Sequence, residues 1–315
     1  MTDKKFKFIK RNKKTDGEAP DKKVRFVMKP REKVGEKTRE FPFSDADFET
    51  LSSLIHKKTG IFMKSHKKNM IYSRLARRLR AVGVKSFADY LVYLSGAKGE
   101  AEIAALVNAI TTNLTKFFRE PHHFEHVKNQ VLPQSLASWH AGQNKRLRIW
   151  SAGCSSGEEP YSIAMVIDQF LKEKQISDCD AKILATDLDT NMLQHGRNGV
   201  YKRIALESLN VEQLKYFEDV VTQKDMCHIS ADLRQYISFK PLNLFADWPM
   251  KGPFDAIFCR NVMIYFDNKS KAMLIKRFMD YLKPGGWLYI GHSETILGVN
   301  NDLKLHGRTI YQKPI

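Results

Sequence analysis

The sequence has little cysteine and too little acid to balance its base. Only Cys154, Cys179, Cys227 and Cys259 occur among 315 residues, and no two form a CxxC pair. They read as reduced, mostly buried thiols, with neither a zinc site nor a disulfide framework expected. Eleven prolines and 17 glycines are too few for a collagen-like or low-complexity chain. No window approaches the roughly 18 uninterrupted apolar residues of a membrane-spanning helix. The N-terminal MTDKKFKFIK also lacks the apolar core of a signal peptide, so the expectation is a cytoplasmic protein without membrane insertion. Acid is outnumbered, with 35 Asp+Glu against 52 Lys+Arg and a net charge of +17 at pH 7. What is present is core material: 43% hydrophobic residues, 11% of all residues aromatic, in a length that suits one large or two ordinary domains.

The positive charge is concentrated at the start. Residues 1–40 hold 15 Lys/Arg and 7 Asp/Glu, and residues 41–120 hold 13 and 7, while the remaining 195 residues carry 24 and 21. Residues 1–40, rich in Lys and poor in periodic apolar positions, read as a mobile basic tail. From Phe41 the texture becomes helical: Phe48, Leu51, Leu54 and Ile55 recur after Ser44, a suitable N-cap. Lys67 to Val82 gives a second helix with Ile71, Leu75, Leu79 and Val82 on one stripe. Arg74, Arg77 and Arg78 project elsewhere, either to an acidic partner or as a solvated face. A helical domain is expected over 41–125.

From Arg146 strands and helices alternate. Leu147 to Trp150 reads as a strand, Ser151 to Gly157 as a turn of small residues, and Glu158 to Glu173 as a helix, the first βα unit of a doubly wound sheet. Small residues let backbone approach a ligand, and the following helix points its N–H groups at it. A second strand, Lys182 to Thr186, ends at Asp187, where such folds hold the ribose hydroxyls of a nucleotide, because a carboxylate accepts both donors. Asp189 is the better helix cap. Phe254 to Cys259 is a third strand whose C-terminal end delivers Arg260 and Asn261, and Leu282-Lys-Pro-Gly-Gly286 reads as a turn before a fourth.

These residues resemble one family, the chemotaxis receptor protein-glutamate O-methyltransferases of the CheR type, from about Phe41 to Gln312. The motifs are Ile110 to Glu120 (ITTNLTKFFRE), Ile149 to Ser162 (IWSAGCSSGEEPYS), Ala185 to Asp189 (ATDLD), Phe254 to Phe266, and Gly291 to Glu294 (GHSE). The resemblance implies a class I methyltransferase dependent on S-adenosylmethionine, an α/β fold with a Rossmann-like sheet over residues 126–315. A small all-helical N-terminal domain precedes it, and an antiparallel β-subdomain is inserted near Asn198 to Ser238. It implies esterification of glutamates on chemoreceptor cytoplasmic helices, with S-adenosylhomocysteine as product. Cofactor contacts are implied at Asn113, Thr115, Arg119, Glu159, Asp187, Asn243, Leu244, Arg260 and Asn261, and the methyl group lies near Arg119 and Tyr265. The stretch Phe217 to Met226 lacks the glycines of family members that dock on a receptor tether, so tethered docking is not expected.

The chemistry agrees on its own terms. A glutamate side chain, with a reference pKa of about 4.3, is already an ionised nucleophile at neutral pH, so no general base is needed. What the protein must do is hold it, and a guanidinium suits that task, which falls to Arg119. Tyr265 either orients the substrate or contacts the methyl region. Asn113 and Thr115 read as site residues or as cap chemistry before a short helix containing Phe117 and Phe118. His122, His123 and His292 lack a carboxylate at ligand spacing, and no metal is expected. Arg74, Arg77 and Arg78 are the expected contacts to the glutamate-rich partner. Two rivals stand beside this reading. A nucleic-acid methyltransferase would use the basic N-terminal region, but the Asn261-Val-Met-Ile-Tyr265 stretch lacks the prolines of a base-holding motif, so no nucleic acid is expected. The other is a non-catalytic sensor of S-adenosylmethionine. A monomer is expected.

Overall fold

The computed structural model describes residues 39–296, 298 and 302–315. The expected basic tail over 1–40, apart from Arg39 and Glu40, lies outside the described residues. Four helices come first: α1 (Asp45–Thr59), α2 (Lys68–Val82), α3 (Phe87–Ser95) and α4 (Gly99–Ile110). Ser44 caps α1 reciprocally, its hydroxyl accepting from the Asp47 N–H while the Asp47 carboxylate accepts from the Ser44 N–H. One apolar stripe from each helix closes on a shared core that includes Leu51, Ile55, Ile71, Leu75, Tyr90 and Leu106. Glu102 of α4 is buried in it and is satisfied by Arg78 at 2.9 and 2.5 Å and by the Tyr90 hydroxyl at 2.6 Å.

A longer helical run follows, α5 (His122–His126) passing through one widened turn at Val127–Val131 into α6 (Leu132–His140). The alternating part comprises β1 (Arg146–Ala152), α7 (Glu158–Glu173), β2 (Asp180–Asp187) and α8 (Thr190–Asn198). After β3 (Val200–Lys202), α9 (Val211–Leu214), β4 (Phe217–Asp219), β5 (Met226–Ile229) and α10 (Ala231–Arg234) come β6 (Ile237–Pro241), β7 (Phe254–Cys259), α11 (Asn268–Tyr281) and β8 (Leu282–Ile290). Two short strands, β9 (Lys304–Leu305) and β10 (Ile310–Gln312), close the sheet.

The main sheet runs β6-β2-β1-β7-β8-β10-β9, with the first five strands parallel, β10 antiparallel to β8 and β9 antiparallel to β10. Side-chain alternation builds a core on each face. Leu147 and Ile149 of β1, Phe258 of β7 and Tyr289 of β8 pack with α5 to α7, while Trp150, Ile257 and Leu288 pack with Leu274, Ile275 and Phe278 of α11. Sequence order reverses between β1 and β7, so their C-terminal ends open onto a crevice, the ligand-binding edge of such sheets. The antiparallel insertion is present as the three-stranded sheet β3-β5-β4.

Two local expectations are corrected. The residues around Phe117 and Phe118 form a turn and not a short helix: Phe118 and Glu120 take positive φ of 49° and 58°, incompatible with helical continuation. Leu282 to Gly286 is not a free turn but the start of β8, where the pairing with β7 skips from Phe254↔Leu282 to Ala256↔Trp287 and the extra residues bulge out. No described helix is long and apolar enough to cross a membrane.

Candidate active site

The crevice continues into a cavity of about 1260 Å³, its open mouth counted, between the sheet edge and residues of the helical region. Asn113, Thr115, Arg119, Glu159, Asp187, Asn243, Leu244, Arg260, Asn261 and Tyr265, every cofactor and catalytic position expected from the sequence, line it. They come from sequence segments as far apart as 113 and 265, so the fold assembles the set.

The turn after β1 forms the floor. Gly153 has φ 84°, and a Cβ there would stand 2.3 Å from Val262 Cγ2, so only glycine lets the turn pass beneath the loop that follows β7. The Ser155 N–H donates to Asp187 at 2.7 Å, and the Asp189 N–H donates to its other oxygen at 2.8 Å. Each oxygen keeps a free lone pair, which is the acceptor capacity that two ribose hydroxyls need. Burial raises the Asp187 pKa above the usual aspartate range despite those two N–H donors. Asp189 caps α8 by accepting from Asn191 and Met192, the division of labour the sequence suggested. Asp189 also receives Asn113 Nδ2 at 2.8 Å and Thr111 Oγ1 at 2.9 Å, so the segment 111–113 is tied to the sheet. Thr115 makes no capping bond with the described residues.

On the opposite wall Arg260, 6% exposed, sits between two carboxylates. It donates to Glu159 at 3.0 Å, lies 3.4 Å from Glu120, and also donates to the Arg119 carbonyl. Ser151 donates to Glu159 at 2.7 Å. Burial raises the Glu159 pKa even though Arg260 pulls against it, whereas for Glu120 the His292 bond and Arg260 overcome burial and lower it. Arg119 donates to the Leu114 carbonyl at 2.8 Å, and its guanidinium forms no ion pair with the described residues. The Tyr265 hydroxyl likewise has no hydrogen-bond partner among them. The ring lies 5.3 Å from the Lys67 ammonium. Asn243 is held in a local turn by the Phe245 N–H and donates to the Lys58 carbonyl at 2.6 Å.

Two functional positions escaped the sequence reading. Glu294, buried, accepts the N–H groups of Gly291, Asn261 and Ile264 at 2.6, 2.9 and 3.1 Å, stapling the Arg260–Tyr265 loop to the end of β8. The other is Glu120, whose carboxylate lies 3.4 Å from the Arg260 guanidinium. The GHSE motif pointed to Glu294 without giving it a task. Nothing local in the sequence marks Glu120 as a neighbour of residue 260.

The expected partner-binding arginines are brought together only in part. Arg78 is committed to Glu102, and Arg74 donates to the Ile110 and Thr111 carbonyls at 2.5 and 2.8 Å, completing the end of α4. Both guanidiniums thus have internal partners, and both side chains stay partly exposed. Arg77 is exposed and makes no ion pair with described residues. The histidines do have a carboxylate beside them: Glu120, His122 and His123 place one ligand atom each within 4.8 Å of one another. That carboxylate is already paired with Arg260 and receives His292 Nδ1 at 2.8 Å, and burial holds His123 neutral, its pKa pushed down to about 3.

Comparison with known proteins adds an independent line. Residues 113–312 match the family model described as CheR methyltransferase, SAM binding domain, and residues 46–111 match CheR methyltransferase, all-alpha domain. A chemotaxis protein methyltransferase of Klebsiella aerogenes is 40% identical over 88% of this chain and 93% of its own. The Escherichia coli chemotaxis protein methyltransferase is 40% identical over 87% and 93%. Chemotaxis protein methyltransferase 2 of Pseudomonas aeruginosa is 39% identical over 87% and 95%.

Proposed function

The chain belongs to the CheR methyltransferase family, and from that premise we propose that it esterifies glutamate side chains on the cytoplasmic helices of chemoreceptors. It is a methyltransferase dependent on S-adenosylmethionine, acting in chemotaxis. The observation that carries the finer reading is the convergence of Asp187, Arg119 and Tyr265 on one cavity, where among the described residues the Arg119 guanidinium has no ionic partner and the Tyr265 hydroxyl no hydrogen-bond partner.

The residues fit the cofactor. Asp187 has the spare acceptor capacity for ribose hydroxyls, Glu159 presents a buried carboxylate to an amino group, and the turn at Gly153 admits close backbone approach. Asn243, Leu244, Asn113, Thr115 and Asn261 complete the lining. When bound, S-adenosylmethionine supplies an electrophilic sulfonium methyl. The protein's own part is positioning: Arg119 fixes a carboxylate by paired N–H donors, and Tyr265 presents its hydroxyl to the incoming group. Arg260, neutralised by Glu159 and Glu120, holds the wall rigid, and no side chain is required as a base because the acceptor is ionised. We assign residues 41–125 to a helical domain and 126–315 to the catalytic domain, with the cavity lined from both.

The test is transfer of labelled methyl from S-adenosylmethionine to a receptor cytoplasmic fragment, with Arg119→Ala and a nucleic-acid acceptor alongside. The reading requires label on the fragment that mild base releases and that the variant fails to transfer. Label on nucleic acid alone, or binding of S-adenosylmethionine with no acceptor modified, overturns it.

A further inference from the structure

We propose that Arg277, which lies outside the cavity lining, is a positioning residue for the cofactor: it braces the loop after β6 so that Leu244 meets the adenine of S-adenosylmethionine. The inference rests on the placement of the ribose at Asp187, and it gives a task to a side chain that touches neither cofactor nor acceptor.

Strand order says where the adenine lies. Asp187 ends β2, while Arg260 to Tyr265 follow β7, on the other side of β1. With the ribose at Asp187 and the methyl group toward Tyr265, the adenine extends the opposite way, to the end of β6, which pairs with the far side of β2. The residues there are Asn243 and Leu244, and both line the cavity. Leu244 is 8% exposed, and its N–H has no acceptor among the described residues, which leaves it for an acceptor in the cavity. An adenine ring brings such acceptors together with an apolar face for the leucine side chain.

The loop has little backbone bonding of its own. Residues 242–253 join β6 to β7 without helix or strand. Among the described residues they make two backbone–backbone hydrogen bonds, from the Leu242 N–H to the Asp187 carbonyl at 3.0 Å and from the Ala246 N–H to the Asn243 carbonyl at 3.1 Å. Side chains do the holding. Asn243 ties the loop to Lys58, and Arg277 of α11 grips it from below: Nη1 donates to the Leu244 carbonyl and Nη2 to the Ala246 carbonyl, both at 2.8 Å. The guanidinium carbon lies 3.9 Å from the centroid of Trp248, a buried indole set edge-on against Trp150 and Tyr281. One rigid plane thus holds two carbonyls of the loop while resting on a third loop residue that the core fixes. Arg277 forms no ion pair with the described residues, so its charge serves those carbonyls and the indole. A lysine ammonium has no planar fork with which to reach both carbonyls from a stacked position.

The experiment measures the affinity of S-adenosylhomocysteine by calorimetry, and of adenosine by competition, for the full chain and for Arg277→Met, Arg277→Lys and Lys313→Met. Lys313 is the control, because its ammonium donates to the Met279 and Leu282 carbonyls at 2.6 and 2.8 Å and so anchors the end of the same helix without touching the loop. Arg277→Met should weaken both ligands by the same factor, about tenfold. Its kcat at saturating S-adenosylmethionine should stay within about twofold, with KM for a receptor fragment unchanged. Arg277→Lys should fall between, and Lys313→Met should bind both ligands as the unaltered protein does. Unchanged affinity in Arg277→Met overturns the brace, as does an equal loss in Lys313→Met, which would make the effect one of general stability. So does a loss for S-adenosylhomocysteine with none for adenosine, or a fall in kcat as large as the fall in affinity. Failure of the underlying placement looks different: Asp187→Ala then binds S-adenosylhomocysteine as tightly as the unaltered protein, and the brace falls with it.

Discussion

Replacing Arg260 by methionine should destabilise the protein in a way that depends on pH. Its guanidinium is buried against Glu159 at 3.0 Å and Glu120 at 3.4 Å. Methionine keeps most of the volume and removes the charge, leaving Glu159 with only the Ser151 hydroxyl and Glu120 with only His292 as hydrogen-bond partners. Removing one member of a buried ion pair costs about 3–5 kcal/mol. At about 1.5 °C per kcal/mol for a chain of 315 residues, the unfolding midpoint should fall by about 5–8 °C at about pH 8. In the unaltered protein Arg260 pulls the pKa of both carboxyls down against burial. Without it both folded-state values rise. A carboxyl whose folded pKa lies above its unfolded value favours the folded state at low pH and loses that advantage as pH rises through the folded pKa. The deficit should therefore shrink as pH falls toward about 5. Adding Glu159→Gln to Arg260→Met should recover part of the loss at high pH. Thermal unfolding followed by circular dichroism at both pH values measures this. A deficit under about 1 kcal/mol at the higher pH, or one equal at both, refutes the reasoning.

Further outcomes follow from the same geometry. Gly153→Ala should cost about 1–3 kcal/mol in chemical denaturation, and Val262→Ala should relieve the clash but not the strain at φ 84°. Tyr265→Phe should leave the unfolding midpoint unchanged, because the hydroxyl has no hydrogen-bond partner among the described residues, while kcat falls about tenfold or more; a midpoint shift with unchanged kcat would return Tyr265 to a packing role. Because burial raises the Asp187 pKa, affinity for S-adenosylhomocysteine by calorimetry should begin to fall, as pH is lowered, above the 3.8 usual for an aspartate. Asp187→Asn should abolish that dependence. Glu294→Ala should lower kcat more than cofactor affinity, since it removes the acceptor for three N–H groups that hold the Tyr265 loop.

Much of the sheet was legible because its signals are local. The apolar run of β1, the small-residue turn and an acid at the end of β2 are neighbours in sequence, and so are Asp189 and the helix it caps. The lining of the cavity followed from the family motifs and not from periodicity, since nothing local links Asn113 to Asp187 or Arg260. What stayed hidden depends on long-range pairing. A helical stripe shows that Arg74 and Arg78 point away from the apolar core positions, but not that Glu102, 24 residues on, waits for Arg78. The Phe117–Phe118 segment has helical composition, yet Phe117 is buried edge-on against Tyr201 and Phe217, and the chain turns to put it there. Glu120 and Glu294 are ordinary acids in sequence and acquire their tasks only when β7 and β8 lie side by side.

A crystal structure with S-adenosylhomocysteine bound would test the site assignment directly. The ribose hydroxyls should sit on Asp187, with the sulfur facing Arg119 and Tyr265 across the cavity. Product bound outside this cavity, or bound in it with the ribose away from Asp187 and the sulfur out of reach of Tyr265, would contradict the assignment.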